Sequence, residues 1–392
     1  MFKTTGKTHE RPILWGAPGS LYAGKSRSYL IKKGLDYEEM FPSNPRYGEE
    51  VLPLVGHFAV PVTELTNGTL IQDSTDQILH FERTVPGPRM IPESQLQNAV
   101  AWLLGCFCSE SMWKLGLHYR WTYLEHQRPF VEALFGRAIS MAKNTAERNA
   151  AAAPVIANFS GKLPEIGVTE ETIPAIEASY EALLDLLTEH FFHYPYLMGG
   201  RPSLPDFGLI APFFAHLARD PYPSTHMKNR APNVYRWTER MFLSGFADGE
   251  YPDLTPDFLP NDALPETLIP VIAYFFEDFS AEFIGMVQSY NRWCDERQDG
   301  ESGTPVQDPE EAGTTHPSLG WFEFECRGVR HRRRDSIDIV YHLQRVFDVV
   351  DKLEGAARER WDALIAQTGG SALMDTRPAR RIAYENYRYV LA

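Results

Sequence analysis

The chain has 392 residues, 43% hydrophobic and 23% charged, the composition of a folded globular protein of two or three domains rather than a disordered chain. A formal net charge of −14 argues against a broad face for nucleic acid or for an anionic membrane. The four cysteines, Cys106, Cys108, Cys294 and Cys326, form no CxxC pair and no His/Cys zinc spacing, so neither a metal site nor a disulfide framework is expected and a reducing compartment fits.

The first residues lack the apolar stretch of a signal peptide, and the longest apolar runs fall short of the roughly 20 residues of a membrane span. The expectation is a cytoplasmic protein. Pro12–Trp15 reads as a short buried strand and Gly16–Gly19 as a turn. A helix over Leu21–Lys33 is closed by Gly34, the usual residue just past a helix end. Asp36–Phe41 reads as a second strand. Val60–Leu65 and Thr69–Gln72 are predicted to pair through Thr66-Asn67-Gly68, since Asn-Gly between apolar runs is a hairpin signal. Ser74 is the expected N-cap of a helix over Thr75–Glu82. This order makes a small α/β module over residues 1–83.

Residues 84–93, with three prolines and a glycine, read as a linker. An all-helical domain is predicted over 94–246, with clear amphipathic spacing at Ile176, Tyr180, Leu183, Leu184 and Leu187. Within it, 150–167 reads as a loop between two helices. Ser203-Leu204-Pro205-Asp206 is a capping-box variant in which Asp206 reaches back to the Ser203 amide, opening an apolar helix over Phe207–Leu217. Residues 247–392 form an extension: an extended connection over 247–265, a helix over Glu266–Asp295, a polar loop over Asp299–Pro317, a hairpin built on Trp321–Cys326 and Gly328, and helices over Ile337–Leu353 and Ala356–Gln367. The run Arg330-His331-Arg332-Arg333-Arg334 reads as solvated surface.

The chemistry concentrates in residues 11–83. Ser20 stands at the start of a helix, where partial positive charge and free main-chain donors gather. There it is either an N-cap only or a hydroxyl donor to a thiolate. Val60-Pro61 begins a strand. A cis proline there turns the Val60 main chain outward, open to an extended peptide. Asp73-Ser74, at the next helix N-terminus, suits an α-carboxylate and an α-amine, or is merely a helix start. Together the three describe a site for a thiol peptide.

These residues resemble the glutathione transferase family. Leu14–Arg27 is similar to its first strand and catalytic loop, with Ser20 seven residues before Arg27, the spacing of the serine-type and cysteine-type classes. Gly34–Glu38 resembles the entry to the second strand. Val60-Pro61-Val62 resembles the cis-proline segment, Gln72-Asp73-Ser74 the pair that holds the γ-glutamyl end of glutathione, and Ser203–Asp206 the helical-domain capping box. The resemblance implies a thioredoxin-like N-terminal domain, an all-α second domain and glutathione as co-substrate, with no metal. It implies Ser20 as the residue that stabilises the thiolate for attack on a small apolar or aromatic electrophile. Tyr22 is a candidate second hydroxyl near the sulfur.

Phe58-Ala59 stands where relatives carry Lys or Gln for the glycyl end. His57 is either the substitute or the contact is absent. Trp113, His118, Tyr119, Arg120 and Trp121 lie on one predicted helix and either line the substrate pocket or belong to the core. The segment Trp113–Trp121, with Leu319–Phe324 and Leu343–Arg345, resembles a C-terminally extended bacterial branch of the family. A homodimer is the family expectation. The alternative is a non-catalytic member kept for binding or assembly.

Overall fold

The computed structural model describes residues 2–297, 300–308 and 316–392. Of the loop expected over 299–317, residue 299 and residues 309–315 lie outside the described residues. In chain order the elements are β1 (Ile13–Trp15), α1 (Leu21–Lys33), β2 (Glu38–Met40), α2 (Leu52–Val55), β3 (Val62–Glu64), β4 (Leu70–Ile71) and α3 (Ser74–Thr84). Then come α4 (Gln95–Glu110), α5 (Trp113–Trp121), α6 (Arg128–Ile139), α7 (Thr145–Ser160), α8 (Ile173–His193), α9 (Leu204–Pro212), α10 (Pro221–Arg230), α11 (Pro232–Arg240) and α12 (Leu268–Asp295). The chain finishes with β5 (Trp321–Cys326), β6 (Val329–Arg334), α13 (Ile337–Val350), α14 (Gly355–Gln367), α15 (Ser371–Asp375), β7 (Ile382–Glu385) and β8 (Arg388–Leu391).

Two compact units emerge. One comprises Met1–Arg89, Trp113–Leu163 and Leu209–Gly245, and the other Met90–Met112, Pro164–Gly208 and Phe246–Ala392. One break between the units falls within the 84–93 linker and another beside 246, while the helices expected together over 94–246 are divided between the two units.

In the first unit the sheet order is β2-β1-β3-β4, with β1 and β2 parallel and the other pairs antiparallel. With α1 and α3 it makes the thioredoxin-like arrangement. The apolar run Ile13-Leu14-Trp15 is buried on both faces, as a central strand requires. Gly34 closes α1 in the left-handed region at φ 71°, and Leu35 donates to the Leu30 carbonyl at 3.0 Å, so the last carbonyls are satisfied. Gly68 closes the β3–β4 turn at φ 78°. A Cβ there would lie 2.6 Å from the Lys7 carbonyl, because the N-terminal arm runs against this turn. The Val60–Pro61 peptide is cis.

Still in this unit, α6 and α7 pack as a pair around Trp121, Leu124, Val131, Ala152 and Ile156. The loop predicted over 150–167 is therefore corrected: residues through Ser160 are helix, with Pro154 ten residues in. The alanine run is the strongest helix former available, and its small side chains let α7 lie close to α6. At Gly136 an added Cβ would be 2.9 Å from the Arg148 carbonyl.

In the second unit α4, α8, α12 and α13 share an aromatic core in which Phe107 meets Phe275 at 5.4 Å and Phe283 at 5.0 Å. The capping box is present: Asp206 accepts from Ser203 N at 2.9 Å and from Leu197 N at 3.0 Å. β5 and β6 form the expected hairpin, but the arginine run is not uniformly solvated. Strand alternation sends His331 and Arg333 inward, and Arg333 pairs with buried Glu282. Arg332 lies outward over the Trp321 ring at 4.5 Å. The hairpin β7–β8 was not anticipated.

Candidate active site

Ser20 follows the Gly16–Gly19 turn in extended conformation (φ −86°, ψ 127°) and caps α1 by accepting from the Ala23 amide at 3.3 Å. Its hydroxyl also lies 3.5 Å from the Val60 carbonyl, on the donor side. The helix start and the cis-proline segment are thus brought together at one oxygen. The turn is held from both sides. Gly16 N donates to Met40 O at 2.9 Å, and Arg120 donates to the Gly19 carbonyl at 3.1 Å.

The Val60 segment is fixed by residues that sequence reasoning missed. The Tyr47 hydroxyl donates to Ala59 O at 2.6 Å and accepts from Ala59 N at 3.0 Å. Burial pushes the Tyr47 phenol up to about 12, against the pull of the Ala59 N–H that donates to it, so it stays a donor at neutral pH. Gln77 on α3 donates to Ile71 O at 2.8 Å and Pro61 O at 3.4 Å, and accepts from Ser26 of α1 at 2.6 Å. With Ala59 and Pro61 tied in this way, the Val60 N–H has no hydrogen-bond partner among the described residues. Val60 itself is half-buried and Pro61 buried.

At the start of α3 the cap is corrected from Ser74 to Asp73. The Asp73 carboxylate accepts from the Asp76 amide at 2.8 Å, and Ser74 is the first helical residue, buried. An aspartate outranks its neighbour here because its carboxylate also meets the helix dipole favourably. His57 is half-buried just past Gly56, next to Phe58, which is 51% exposed and edge-on to Tyr47 at 5.6 Å. Tyr22 is half-exposed in the first turn of α1.

The five α5 candidates fall out differently. Trp113 is half-buried at the first residue of the helix. His118 is fully buried, with Nδ1 3.0 Å from the Thr122 hydroxyl. Tyr119 is buried and stacks on Tyr123 at 5.8 Å. Trp121 packs into the α6–α7 core. Arg120 is engaged in a buried ion pair with Asp220.

On α1, Arg27 is tied to Glu39 of β2 by two bonds at 2.8 and 2.5 Å. Arg219, half-buried over the Phe214 ring at 4.3 Å, is held down to about 10 by burial and by Arg27 and Arg120. Among the described residues, no group of three His, Cys, Asp or Glu side chains is placed to hold a metal ion, and no helix is long and apolar enough to cross a membrane.

Residues 14–89 match the glutathione S-transferase N-terminal domain, and residues 162–244 match the glutathione S-transferase C-terminal domain. No curated protein matches the chain. Among solved structures it is similar to the beta-etherase LigF from Sphingobium sp. strain SYK-6, with 16% identity over 59% of this chain and 94% of that one, at a TM-score of 0.43. It is similar to glutathione transferase GSTFuA3 from Phanerochaete chrysosporium, with 19% identity over 61% of this chain and 99% of that one, at a TM-score of 0.41. It is also similar to a glutathione S-transferase from Methylobacterium radiotolerans in complex with glutathione sulfonate, with 21% identity over 65% of this chain and 100% of that one, at a TM-score of 0.34.

Proposed function

Because this chain belongs to the glutathione S-transferase family, we propose that it binds glutathione at Ser20, Val60-Pro61 and Asp73-Ser74 and activates the thiol for attack on a small apolar or aromatic electrophile. The observation that carries this reading is the Val60 main chain. Its N–H has no partner among the described residues and its carbonyl faces the Ser20 hydroxyl at 3.5 Å, so an extended peptide can pair with both. The cysteinyl sulfur of such a peptide then comes to the Ser20 hydroxyl at the α1 N-terminus. The hydroxyl turns to donate to the sulfur, and the helix end favours the thiolate, the attacking form. The sulfur forms the new bond to the electrophilic carbon and the leaving group departs with its electron pair. Serine forms no mixed disulfide, so conjugation or thiolytic cleavage is favoured over disulfide reduction.

Asp73 and Ser74 take the γ-glutamyl end at the α3 N-terminus. His57 is the candidate for the glycyl end. Tyr22, Trp113 and Tyr119 are the candidates for contact with the electrophile. His118, which is fully buried, and Trp121, which packs into the α6–α7 core, are assigned more distant support. In this reading residues 1–83 are the glutathione-binding domain, 94–246 the helical domain and 247–392 the extension, in a cytoplasmic homodimer.

A second reading is favoured by one observation. The Ser20 oxygen already caps α1, so a non-catalytic binding or assembly protein keeps this serine for structure alone. Retention on immobilised glutathione, together with loss of glutathione thiol to a generic electrophile, separates the two. Wild-type protein that does neither defeats the enzyme reading. Undiminished turnover in Ser20→Ala moves the chemistry to another hydroxyl such as Tyr22.

A further inference from the structure

Arg120 is 1% exposed and Asp220 is fully buried. The guanidinium makes four bonds. Nε donates to Asp220 Oδ2 at 2.7 Å, Nη2 to Asp220 Oδ1 at 2.8 Å and to Ala215 O at 2.5 Å, and Nη1 to Gly19 O at 3.1 Å. The first three lock the orientation of the planar fork. Gln127 adds to this by donating to Tyr119 O and Arg120 O, each at 3.0 Å, which fixes the end of α5. The fourth bond is different in kind, because it leaves the helices and lands on the turn before Ser20.

We propose that Arg120 is a positioning residue for the glutathione site: its guanidinium, locked on Asp220, fixes the Gly19–Ser20 peptide plane and with it the direction of the Ser20 hydroxyl. This rests on the glutathione reading given above. The Gly19 carbonyl and the Ser20 N–H belong to one rigid planar peptide. Arg120 holds the first, and Ala17 O accepts from the second at 3.0 Å. Both ends of the plane are therefore set. A Cβ at Gly19 would come 2.7 Å from Leu134 Cδ2 and 3.6 Å from Arg120 Nη1, so a side chain here would crowd the guanidinium's approach to the turn. A buried ion pair is a weak source of stability compared with apolar packing. What it supplies here is direction, which only a fork can give; a lysine offers a point charge without the second and third bonds.

The test uses Arg120→Lys and, because that variant touches a buried pair, also Gly19→Ala, which displaces the turn from the guanidinium without touching Asp220. Three quantities are read on the full chain: hydrogen exchange of the Ser20–Ala23 amides without ligand, the thiol titration of bound glutathione by ultraviolet thiolate absorbance, and kcat and KM. Both variants are expected to exchange faster at Ser20–Ala23. Their bound thiol should titrate nearer a free thiol, about 8.5. Turnover should fall on the order of 10- to 100-fold with KM for glutathione little changed. Thiol titration and loop exchange at wild-type values in both variants overturn the proposal. So does lost thermal stability with an unmoved titration, which marks a merely structural pair. If Ser20→Ala moves the titration and these variants do not, the positioning role alone fails. If wild-type protein shows no bound thiolate, the glutathione reading fails and takes this role with it.

Discussion

Tyr47 holds Ala59 by both of its main-chain groups, donating to the carbonyl at 2.6 Å and accepting from the amide at 3.0 Å. One buried hydroxyl thus sets the approach to Val60-Pro61. Tyr47→Phe keeps the ring against Trp15, 5.8 Å away, but leaves a buried donor and a buried acceptor unmet. The expected loss is about 1–3 kcal/mol of unfolding free energy in a urea titration. Glutathione affinity should also weaken, by about tenfold for each ~1.4 kcal/mol of the loss felt at Val60. Unchanged affinity in a destabilised variant would show that Val60 is held by other means.

Ser20 has two roles that substitutions can separate. Ser20→Ala removes the cap on the Ala23 amide and should cost about 0.5–2 kcal/mol in thermal unfolding. Ser20→Asp restores a capping oxygen, and with it most of that stability. It also sets a carboxylate where the sulfur rests, so the thiol of bound glutathione should titrate higher than in wild type. A Ser20→Asp protein that regains both stability and thiolate formation would leave the hydroxyl with no chemical role.

Glu64 is a buried carboxylate at the end of β3 that gathers the N-terminal arm. It accepts from Thr5 at 2.6 Å and from Trp15 Nε1 at 3.1 Å, and pairs with His9 at 2.8 Å and Arg46 at 2.8 Å. Burial pushes its carboxyl up, but the bonds from Thr5, His9 and Trp15 and the Arg46 charge outweigh this and hold it below the usual range. Its contribution is therefore fully present above the ordinary carboxylate range and is lost as pH falls from there through the lowered value of the folded protein. Glu64→Gln should cost about 3–5 kcal/mol, since it leaves Arg46 and Trp15 poorly matched in a buried place. It should also speed proteolysis of residues 2–10. An arm as protease-resistant as in wild type would deny Glu64 this role.

The parts of this molecule that were legible in the sequence are those written in local signals. The Gly34 helix end, the Asn67-Gly68 turn and the Ser203–Asp206 box each need only a few neighbouring residues, and each is found. The helix through Pro154 departs from the loop expected over 150–167. Ten residues in, the proline forfeits one helix bond, and the surrounding alanines and the packing on α6 carry the rest. The β7–β8 turn at Asn386-Tyr387 holds φ of 49° and 63° with no glycine to announce it. Tyr47, Gln77 and Arg120 act over 12 to 101 residues of chain, and no spacing rule in one sequence reports such partners. For Arg120 the sequence leaves pocket and core both open. Its buried partner, Asp220, lies 100 residues on.

The last prediction concerns acid. His190 on α8 is fully buried, with Nε2 3.1 Å from Tyr196 O and Nδ1 2.9 Å from the Thr267 hydroxyl. A carbonyl can only accept, so Nε2 carries the proton and Nδ1 accepts from Thr267. The neutral ring is satisfied as it stands. Burial holds its pKa down to about 4, despite the Tyr196 carbonyl. Between the ordinary value of 6.5 and about 4, the unfolded chain binds a proton that the folded chain refuses. Stability should therefore fall as pH drops through that window, by about 3 kcal/mol from this ring alone, and the slope from it should vanish below about pH 4. His216 in the other unit, also buried and lowered, acts in the same direction. His190→Gln isolates the effect: it is less stable than wild type at pH 7, and the gap should narrow as the pH of a urea titration is taken from 7 to 4. A gap that stays constant over that range would show that His190 is charged, or equally protonated, in both states.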